Sequence, residues 1–264
     1  MKCKDIIDIV EKVAPTDLAK SWDNVGLLVG DREKKIQTIM LALDPTGDVI
    51  RQGIDAGIDM LITHHPMIFS PLKSITYDDF IGRRIMDLIQ NDIAYYAMHT
   101  NFDMTKMAEA AAKMICLSEL QVLEPEEEST SNGIGRIGEL ERSMTLEECA
   151  LLVKERFQID HVRIVGNRKR IVKRAGISPG SGKSMIDAAL LNRVDVLITG
   201  DIDHHTAIDA NEQGLCIIDG GHYGTEHIMV EYMERYLNES IEKLRNGEKI
   251  KIISAMEQSP FFVL

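Results

Sequence analysis

The feature that most restricts the fold is a repeated alternation of short apolar runs with amphipathic stretches. The apolar runs 38–44, 59–63 and 93–98 have the length of buried strands, and helical patterns over 47–57 and 80–92 separate them. Strands that alternate with helices pack as a parallel or mixed sheet covered by those helices. The sequence therefore predicts an α/β protein.

The second half of the chain repeats this plan, with a helical pattern over 184–193. Its predicted strands are KRAGIS (173–178), DVLIT (195–199) and GLCIID (214–219). GIDMLIT (57–63) aligns without gaps on RVDVLIT (193–199), and four positions are identical. The match indicates an internal duplication, although any βαβ unit can produce a short match of this kind.

We therefore expect two similar three-layer α/β/α lobes, one over 1–125 and one over 126–264. A polar, acidic loop is predicted for 124–133, ahead of a strand. Thr145, with Glu148 three residues later, has the capping-box pattern that begins a helix, here over 145–157. A long amphipathic helix is predicted for 226–244.

Charge and composition argue against several classes of function. The formal net charge is −12, and non-specific nucleic-acid binding depends on Lys and Arg that neutralise phosphates. The basic segment 162–174 is better interpreted as an exposed strand or hairpin than as a nucleic-acid contact. No apolar run reaches the length of a membrane span, and the first fifteen residues read as an amphipathic helix rather than a signal peptide.

The cysteines are scattered and form no CxxC pair. This usage predicts a reducing, cytoplasmic location without a disulfide framework. We expect each cysteine to be a small buried hydrophobe. They are Cys3, Cys116, Cys149 and Cys216.

Histidines and carboxylates follow the predicted strands at several strand ends. The segments are ITHHP (62–66), HTNFD (99–103), ITGDIDHH (198–205) and DGGHYGTE (219–226). Ligand sites of α/β sheets form at the carboxyl ends of the strands, and histidine is the commonest side-chain metal ligand. The convergence of these residues predicts a metal site.

The adjacent pair His64 and His65 bears on the number of ions. In an extended segment successive side chains point to opposite sides, and Pro66 favours extended backbone at His65. The two imidazoles should therefore diverge and each reach a different ion. Two-metal hydrolytic sites hold their ions about 3.5–4 Å apart, so the pair predicts a dinuclear centre.

Bridging two ions requires carboxylates as well. His222 and Glu226 lie at i and i+4, and a helix that begins after the glycines at 220 and 221 would place them on one face. Asp103 follows the strand predicted for 93–98. The predicted ligand set is His64, His65, Asp103, His222 and Glu226.

Two other motifs do not carry their usual function. ISPGSGKS (177–184) has Ile177 where a phosphate-binding loop requires glycine, which argues against a Walker-type NTPase. The loop could still present backbone N–H groups to a phosphate at a helix N-terminus. DIDHHTA (201–207) has the DHH triplet of one phosphoesterase class, but the chain lacks the early Asp-rich motif of that class. A lone strand-end histidine such as His99 or His161 more often bonds to the backbone than to a ligand.

The order of six motifs resembles that of the Nif-three-like proteins, also called GTP cyclohydrolase 1 type 2 homologues. The motifs are SWDNVGLLVG (21–30), ITHHP, HTNFD, GIGRIGEL (133–140), ITGDIDHH and DGGHYGTE. The resemblance spans nearly the whole chain and indicates the short form of the family. It implies two intertwined α/β lobes around a pseudo-dyad, a dinuclear metal site between them, and a homohexameric ring.

The resemblance implies the same five ligands, with Glu226 contacting both ions. The resemblance leaves the chemistry open, but two bound metals are consistent with a metal-dependent hydrolase of unknown substrate, with a nucleotide as one hypothesis. Histidine and carboxylate ligands suit zinc, iron and manganese alike. The alternative is a non-catalytic ring-shaped metal-binding or interaction protein. His99 and His205 are candidates for acid–base catalysis, and residues 22–24 are candidates for a wall of the site.

Overall fold

The structure, a computed structural model, describes residues 1–126, 131–244 and 249–263. Within these ranges the strands are β1 (Gly26–Val29), β2 (Thr38–Ala42), β3 (Met60–Thr63), β4 (Ala94–Ala97), β5 (Ser118–Pro125), β6 (Gly133–Thr145), β7 (Arg163–Val165), β8 (Ile171–Ser181), β9 (Val196–Gly200), β10 (Cys216–Asp219) and β11 (Lys251–Ser254). Every strand predicted from the apolar runs is present.

The α-helices described are α1 (Cys3–Val10), α2 (Gly47–Ala56), α3 (Phe80–Gln90), α4 (Thr100–Phe102), α5 (Ala108–Met114), α6 (Leu146–Arg156), α7 (Ile186–Leu191), α8 (His204–Glu212), α9 (His222–Glu226) and α10 (Ile228–Leu244). A π-helical turn, Asp103–Met107, lies between α4 and α5. None of the described helices has both the length and the apolar character needed to span a membrane.

The chain divides into two compact units. Unit 1 comprises Met1–Phe102 and Met229–Gln258, and unit 2 comprises Asp103–Ile228 and Ser259–Leu264. The expected division at 125/126 assigned the whole C-terminal segment to the second lobe. In the structure, Met229–Gln258 belongs to unit 1 instead. The physical reason is β11, which completes the first sheet by pairing parallel with β2.

Unit 1 contains a five-stranded sheet in the order β1-β4-β3-β2-β11. β2, β3, β4 and β11 run parallel, and β1 is an antiparallel edge strand. β3 and β4 are buried at every position, which is typical of parallel strands covered by helices on both faces. The ends of β3 and β4 therefore occupy fixed positions beside each other.

Unit 2 contains a six-stranded sheet in the order β5-β6-β8-β9-β10-β7. β8, β9 and β10 form its parallel centre, and β7 pairs antiparallel with β10 at the edge. The basic segment thus contributes an edge strand, as predicted, and not a hairpin with β8. The loop predicted for 124–133 lies partly outside the described residues, at 127–130.

The two aligned segments have the same local structure. Asp59, just before β3, accepts hydrogen bonds from the backbone N–H groups that begin β2, at 2.7 and 2.8 Å. Asp195, just before β9, accepts an equivalent pair from the backbone N–H groups of Lys173 and Arg174 within β8, both at 2.9 Å. A shared polar contact of this kind exceeds what a generic βαβ pattern requires, so it supports the internal duplication.

The remaining predictions have mixed outcomes. The Thr145–Glu148 capping box is confirmed, with both reciprocal hydrogen bonds formed at the start of α6. The expectation that every cysteine is buried is wrong for Cys116, which is exposed in the turn after α5 at a positive φ of 56°. Its neighbours Ile115 and Leu117 are both buried, so only the side chain of the turn residue itself is exposed.

Candidate metal centre

Three histidines of unit 1 form one cluster, the histidine trio His64, His65 and His99. The ring centroids lie 4.9 Å apart for His64–His65, 5.2 Å for His64–His99 and 5.7 Å for His65–His99. One nitrogen of each ring lies within 4.8 Å of a nitrogen on the other two, so the trio could hold a metal ion. His64 is fully buried.

The extended backbone predicted at His64 and His65 is not found. The backbone bends directly after Thr63, so neither histidine continues the extended strand. The bend is held at the carbonyl oxygen of His65, which accepts hydrogen bonds from the hydroxyl groups of Thr63 at 2.7 Å and Tyr95 at 3.0 Å. Both rings consequently lie side by side.

Each ring of the trio makes a hydrogen bond through Nδ1. The partners are the Met98 carbonyl oxygen for His64, at 2.9 Å, and the Asp44 carboxylate for His65, at 2.8 Å. Both groups are acceptors, so Nδ1 carries the proton, and in the neutral ring Nε2 carries the lone pair. Metal-binding histidines almost always donate their other N–H to a carbonyl or carboxylate in this way.

His99 has the same arrangement with a buried partner. Its Nδ1 lies 2.9 Å from Oδ1 of Asp23, whose other oxygen accepts from the Thr100 backbone N–H at 3.0 Å and from the Thr100 hydroxyl. Burial disfavours the charge on Asp23, but the bonds from His99 and Thr100 outweigh it and lower the pKa of the carboxyl to about 2. Asp23 was expected only as part of a wall.

In unit 2, His222 and Glu226 occupy one face of α9, as their spacing predicts. His222 Nε2 lies 3.0 Å from Oε2 of Glu226, and His222 Nδ1 lies 2.8 Å from Oδ2 of Asp201. Gly221, at a positive φ of 76°, immediately precedes the helix. A nitrogen and a carboxylate oxygen this close form part of a donor set suited to a divalent cation.

Glycine at position 180 leaves room for the Glu226 carboxylate. A Cβ atom at Gly180 would lie 2.0 Å from Oε1 of Glu226, closer than any side chain can approach. The Gly180 backbone N–H also donates to the Thr225 hydroxyl at 3.0 Å. The end of β8 thus fixes where the carboxylate of Glu226 lies.

The carboxylate of Asp219 holds the backbone directly before His222. Asp219, at the end of β10, accepts hydrogen bonds from the backbone N–H groups of Ile202 at 3.0 Å and Gly221 at 2.9 Å. Arg163 of β7 donates to the same carboxylate. Asp219 therefore ties together the loops that follow β9 and β10.

Asp103 and His205 are the two remaining residues of the predicted site. Asp103 begins the π-helical turn and is half-buried; such turns are frequent at functional sites. His205 is exposed in the first turn of α8, with its ring 5.4 Å from that of His204. In the described part of the chain, no metal-capable cluster includes His205.

Sequence reasoning missed Glu257, a carboxylate that acts on the trio indirectly. It accepts hydrogen bonds from the backbone N–H groups of Leu43 at 2.7 Å and Asp44 at 3.0 Å, and so fixes the residue that holds His65. Burial raises the pKa of Glu257. Nothing in the local sequence around this glutamate distinguishes it from other acidic residues.

Comparison with known proteins adds the family. The family model Duf34/NIF3 (NGG1p interacting factor 3) matches residues 1–260. The chain belongs to the Duf34/NIF3 family. A relative from Clostridium acetobutylicum, named GTP cyclohydrolase 1 type 2 homolog, is 38% identical over 247 residues, which cover 92% of each chain.

Solved NIF3 structures have the same fold. A Bacillus cereus protein related to NIF3 has a TM-score of 0.93 at 25% identity, over 100% of this chain and 99% of that chain. A Staphylococcus aureus hypothetical protein has a TM-score of 0.89 at 30% identity, with the same coverage. The mixed α/β fold with two sheets is thus that of the NIF3 structures, and the resemblance noted from the motifs is confirmed.

Proposed function

We propose that the chain is a metal-dependent hydrolase that binds two divalent ions per subunit through His64, His65, Asp103, His222 and Glu226. The observation that carries the proposal is the hydrogen bonding of the three histidines in this set. In each of them Nδ1 lies against a carbonyl or carboxylate oxygen, so Nε2 is the atom that would bind a metal ion. The two carboxylates supply oxygens that can bridge ions.

The chemistry of such a centre is hydrolysis. Bound divalent ions would lower the pKa of a water molecule and polarise a carbonyl or phosphoryl oxygen of the substrate. We assign His99 as the general acid or base, because Asp23 orients its ring within the histidine trio. His205 is the second candidate, since its ring is exposed and free of the packing that fixes His99.

The donor set favours zinc, iron or manganese, all of which bind imidazole together with carboxylate. The proposed substrate is a small molecule, with a nucleotide as the first class to test, because the curated relatives are named as GTP cyclohydrolase homologues. We also propose a cytoplasmic homohexameric ring. The net charge of −12 argues against nucleic acid as the partner.

The first test is elemental analysis of protein purified without an affinity tag, beside Glu226→Gln and the control Glu212→Gln. Glu212 lies on the exposed part of α8, away from any metal-capable cluster of the described residues. We expect about two ions per chain in the parent and control, and fewer in Glu226→Gln with an unchanged circular dichroism spectrum. Near zero in all three, without uptake of added zinc, iron or manganese, contradicts the proposal.

Turnover separates the enzyme from the alternative. The metal-loaded protein is incubated with a nucleotide panel that begins with GTP, and the products are resolved by chromatography. Product formation that disappears in Glu226→Gln supports the hydrolase. Two bound ions with no turnover across the panel would instead favour the non-catalytic metal-binding or interaction protein.

A further inference from the structure

Two large aromatic side chains of unit 1 are exposed and in contact with each other. Trp22 is 58% exposed and Phe69 is 54% exposed, although tryptophan is on average a well-buried residue. Their ring centroids lie 5.7 Å apart with the planes at 44°. We call Trp22 and Phe69 the aromatic wall.

The backbone beneath the wall is fixed by hydrogen bonds. The Asn24 side-chain amide donates to the Ile68 carbonyl oxygen at 2.6 Å and so joins the two segments that carry the rings. Asp23 is tied to Thr100 through the backbone N–H and the hydroxyl of that residue. The backbone next to each of the two rings is therefore held by hydrogen bonds.

The wall adjoins the histidine trio. The Trp22 ring centroid lies 6.0 Å from that of His99, with the planes at 73°, and His99 in turn contacts His64 and His65. A molecule stacked against the indole consequently lies beside the nitrogen atoms that could hold a metal ion. A substrate ring bound at the aromatic wall would therefore lie next to the histidine trio.

We propose that the aromatic wall stacks on a planar heteroaromatic ring of the substrate, such as a nucleobase or a pterin. This inference rests on the proposed function and adds the class of substrate. Indole and phenyl faces are electron-rich, so they favour electron-poor heterocycles in offset or tilted stacking. A pair whose backbone is already held in place loses less conformational freedom when it binds such a ring.

The chain has a single tryptophan, so Trp22 reports on its own contacts. Intrinsic fluorescence is followed while GMP, UMP, neopterin or ribose 5-phosphate is added, in chelator-treated and in zinc-loaded protein. We expect saturable quenching by at least one heteroaromatic probe and no quenching by ribose 5-phosphate, which lacks the ring. Phe69→Leu should weaken that binding about tenfold, the usual effect of removing one stacking partner.

Phe262→Leu is the matched control, because it makes the same substitution at another exposed phenylalanine, close to the C-terminus. It should leave the quenching curve unchanged. The proposal is overturned if no heteroaromatic probe quenches Trp22 in either preparation, or if Phe69→Leu and Phe262→Leu behave alike. An emission change that depends on protein concentration alone overturns it too, since a second copy of the chain would then cover the wall.

The two proposals can fail separately. Metal content is measured on the same preparations, so quenching without bound metal would support the wall while removing the dinuclear centre. Bound metal with no response of Trp22 to any probe would leave the metal proposal intact and remove the stacking site.

Discussion

Arg163 on the edge strand β7 forms an ion pair with Asp219 at the end of β10, and this pair fixes two loops at once. The carboxylate of Asp219 is almost fully buried, while the arginine side chain is two-thirds exposed. The same carboxylate accepts hydrogen bonds from the backbone N–H groups of Ile202, in the loop after β9, and Gly221, in the loop after β10. The geometry at His222 therefore depends on an arginine that touches none of the proposed ligands.

We predict that Arg163→Met weakens metal binding at His222 by about tenfold, the lower end of the range for residues that support metal ligands. The cause is a less firmly held Asp219 carboxylate, and Arg163→Lys should restore part of the affinity. Titration with Co²⁺, followed by its visible absorbance, gives the affinity directly. Arg168→Met, which removes an exposed arginine paired with Glu147, should titrate like the parent.

A second prediction concerns Glu257 in unit 1. Glu257→Ala leaves the buried backbone N–H groups of Leu43 and Asp44 without their acceptor, which should lower the free energy of unfolding by about 1–3 kcal/mol. Because Asp44 holds His65, the Co²⁺ affinity should fall as well. Urea unfolding of the metal-free protein measures the first effect. A variant that is less stable yet binds Co²⁺ normally would contradict the positioning role.

A third prediction uses two glycines with similar backbone strain. Gly180 has φ +75° and Gly57 has φ +62°, but only at Gly180 would a Cβ atom meet a neighbour, the carboxylate of Glu226. Alanine in this region costs about 1–2 kcal/mol at either position. Gly180→Ala should in addition reduce the bound metal, measured by elemental analysis, whereas Gly57→Ala should keep the parent's metal content.

A fourth prediction separates stability from the site. Thr145→Ala removes the capping box of α6 and should lower the free energy of unfolding by about 1 kcal/mol. Its metal content and its nucleotide turnover should match the parent. A loss of bound metal in this variant would show that metal binding follows global stability, and the other three tests would then need comparison with it.

Much of the fold followed from patterns that act locally. Buried strands and amphipathic helices are visible as apolar periodicity, and the His222–Glu226 spacing fixes one face of a helix wherever the helix lies. The bend after Thr63 could not be predicted from the local sequence, because the hydroxyl of Tyr95 in the adjacent strand helps to hold it. An extended-strand rule cannot account for a contact made across the sheet.

The supporting carboxylates were harder still to predict. Glu257 binds the backbone of Asp44 across 213 residues of sequence, and Asp219 is reached by Arg163 across 56. Each acidic residue looks locally like many others in a chain with 42 of them. What distinguishes them is burial beside backbone N–H groups, which only the folded chain creates.

The pairing of β11 with β2 has a consequence for synthesis on the ribosome. β2 emerges early, yet its outer neighbour in the sheet is translated more than two hundred residues later, and Glu257 follows directly after it. Until β11 is synthesised, the β2 edge of the first sheet therefore has no strand paired with it, and the Asp44 backbone N–H lacks its Glu257 acceptor. A chain interrupted before β11 would lack Glu257 and so the contact that holds Asp44 beside His65, which forms only near the end of translation.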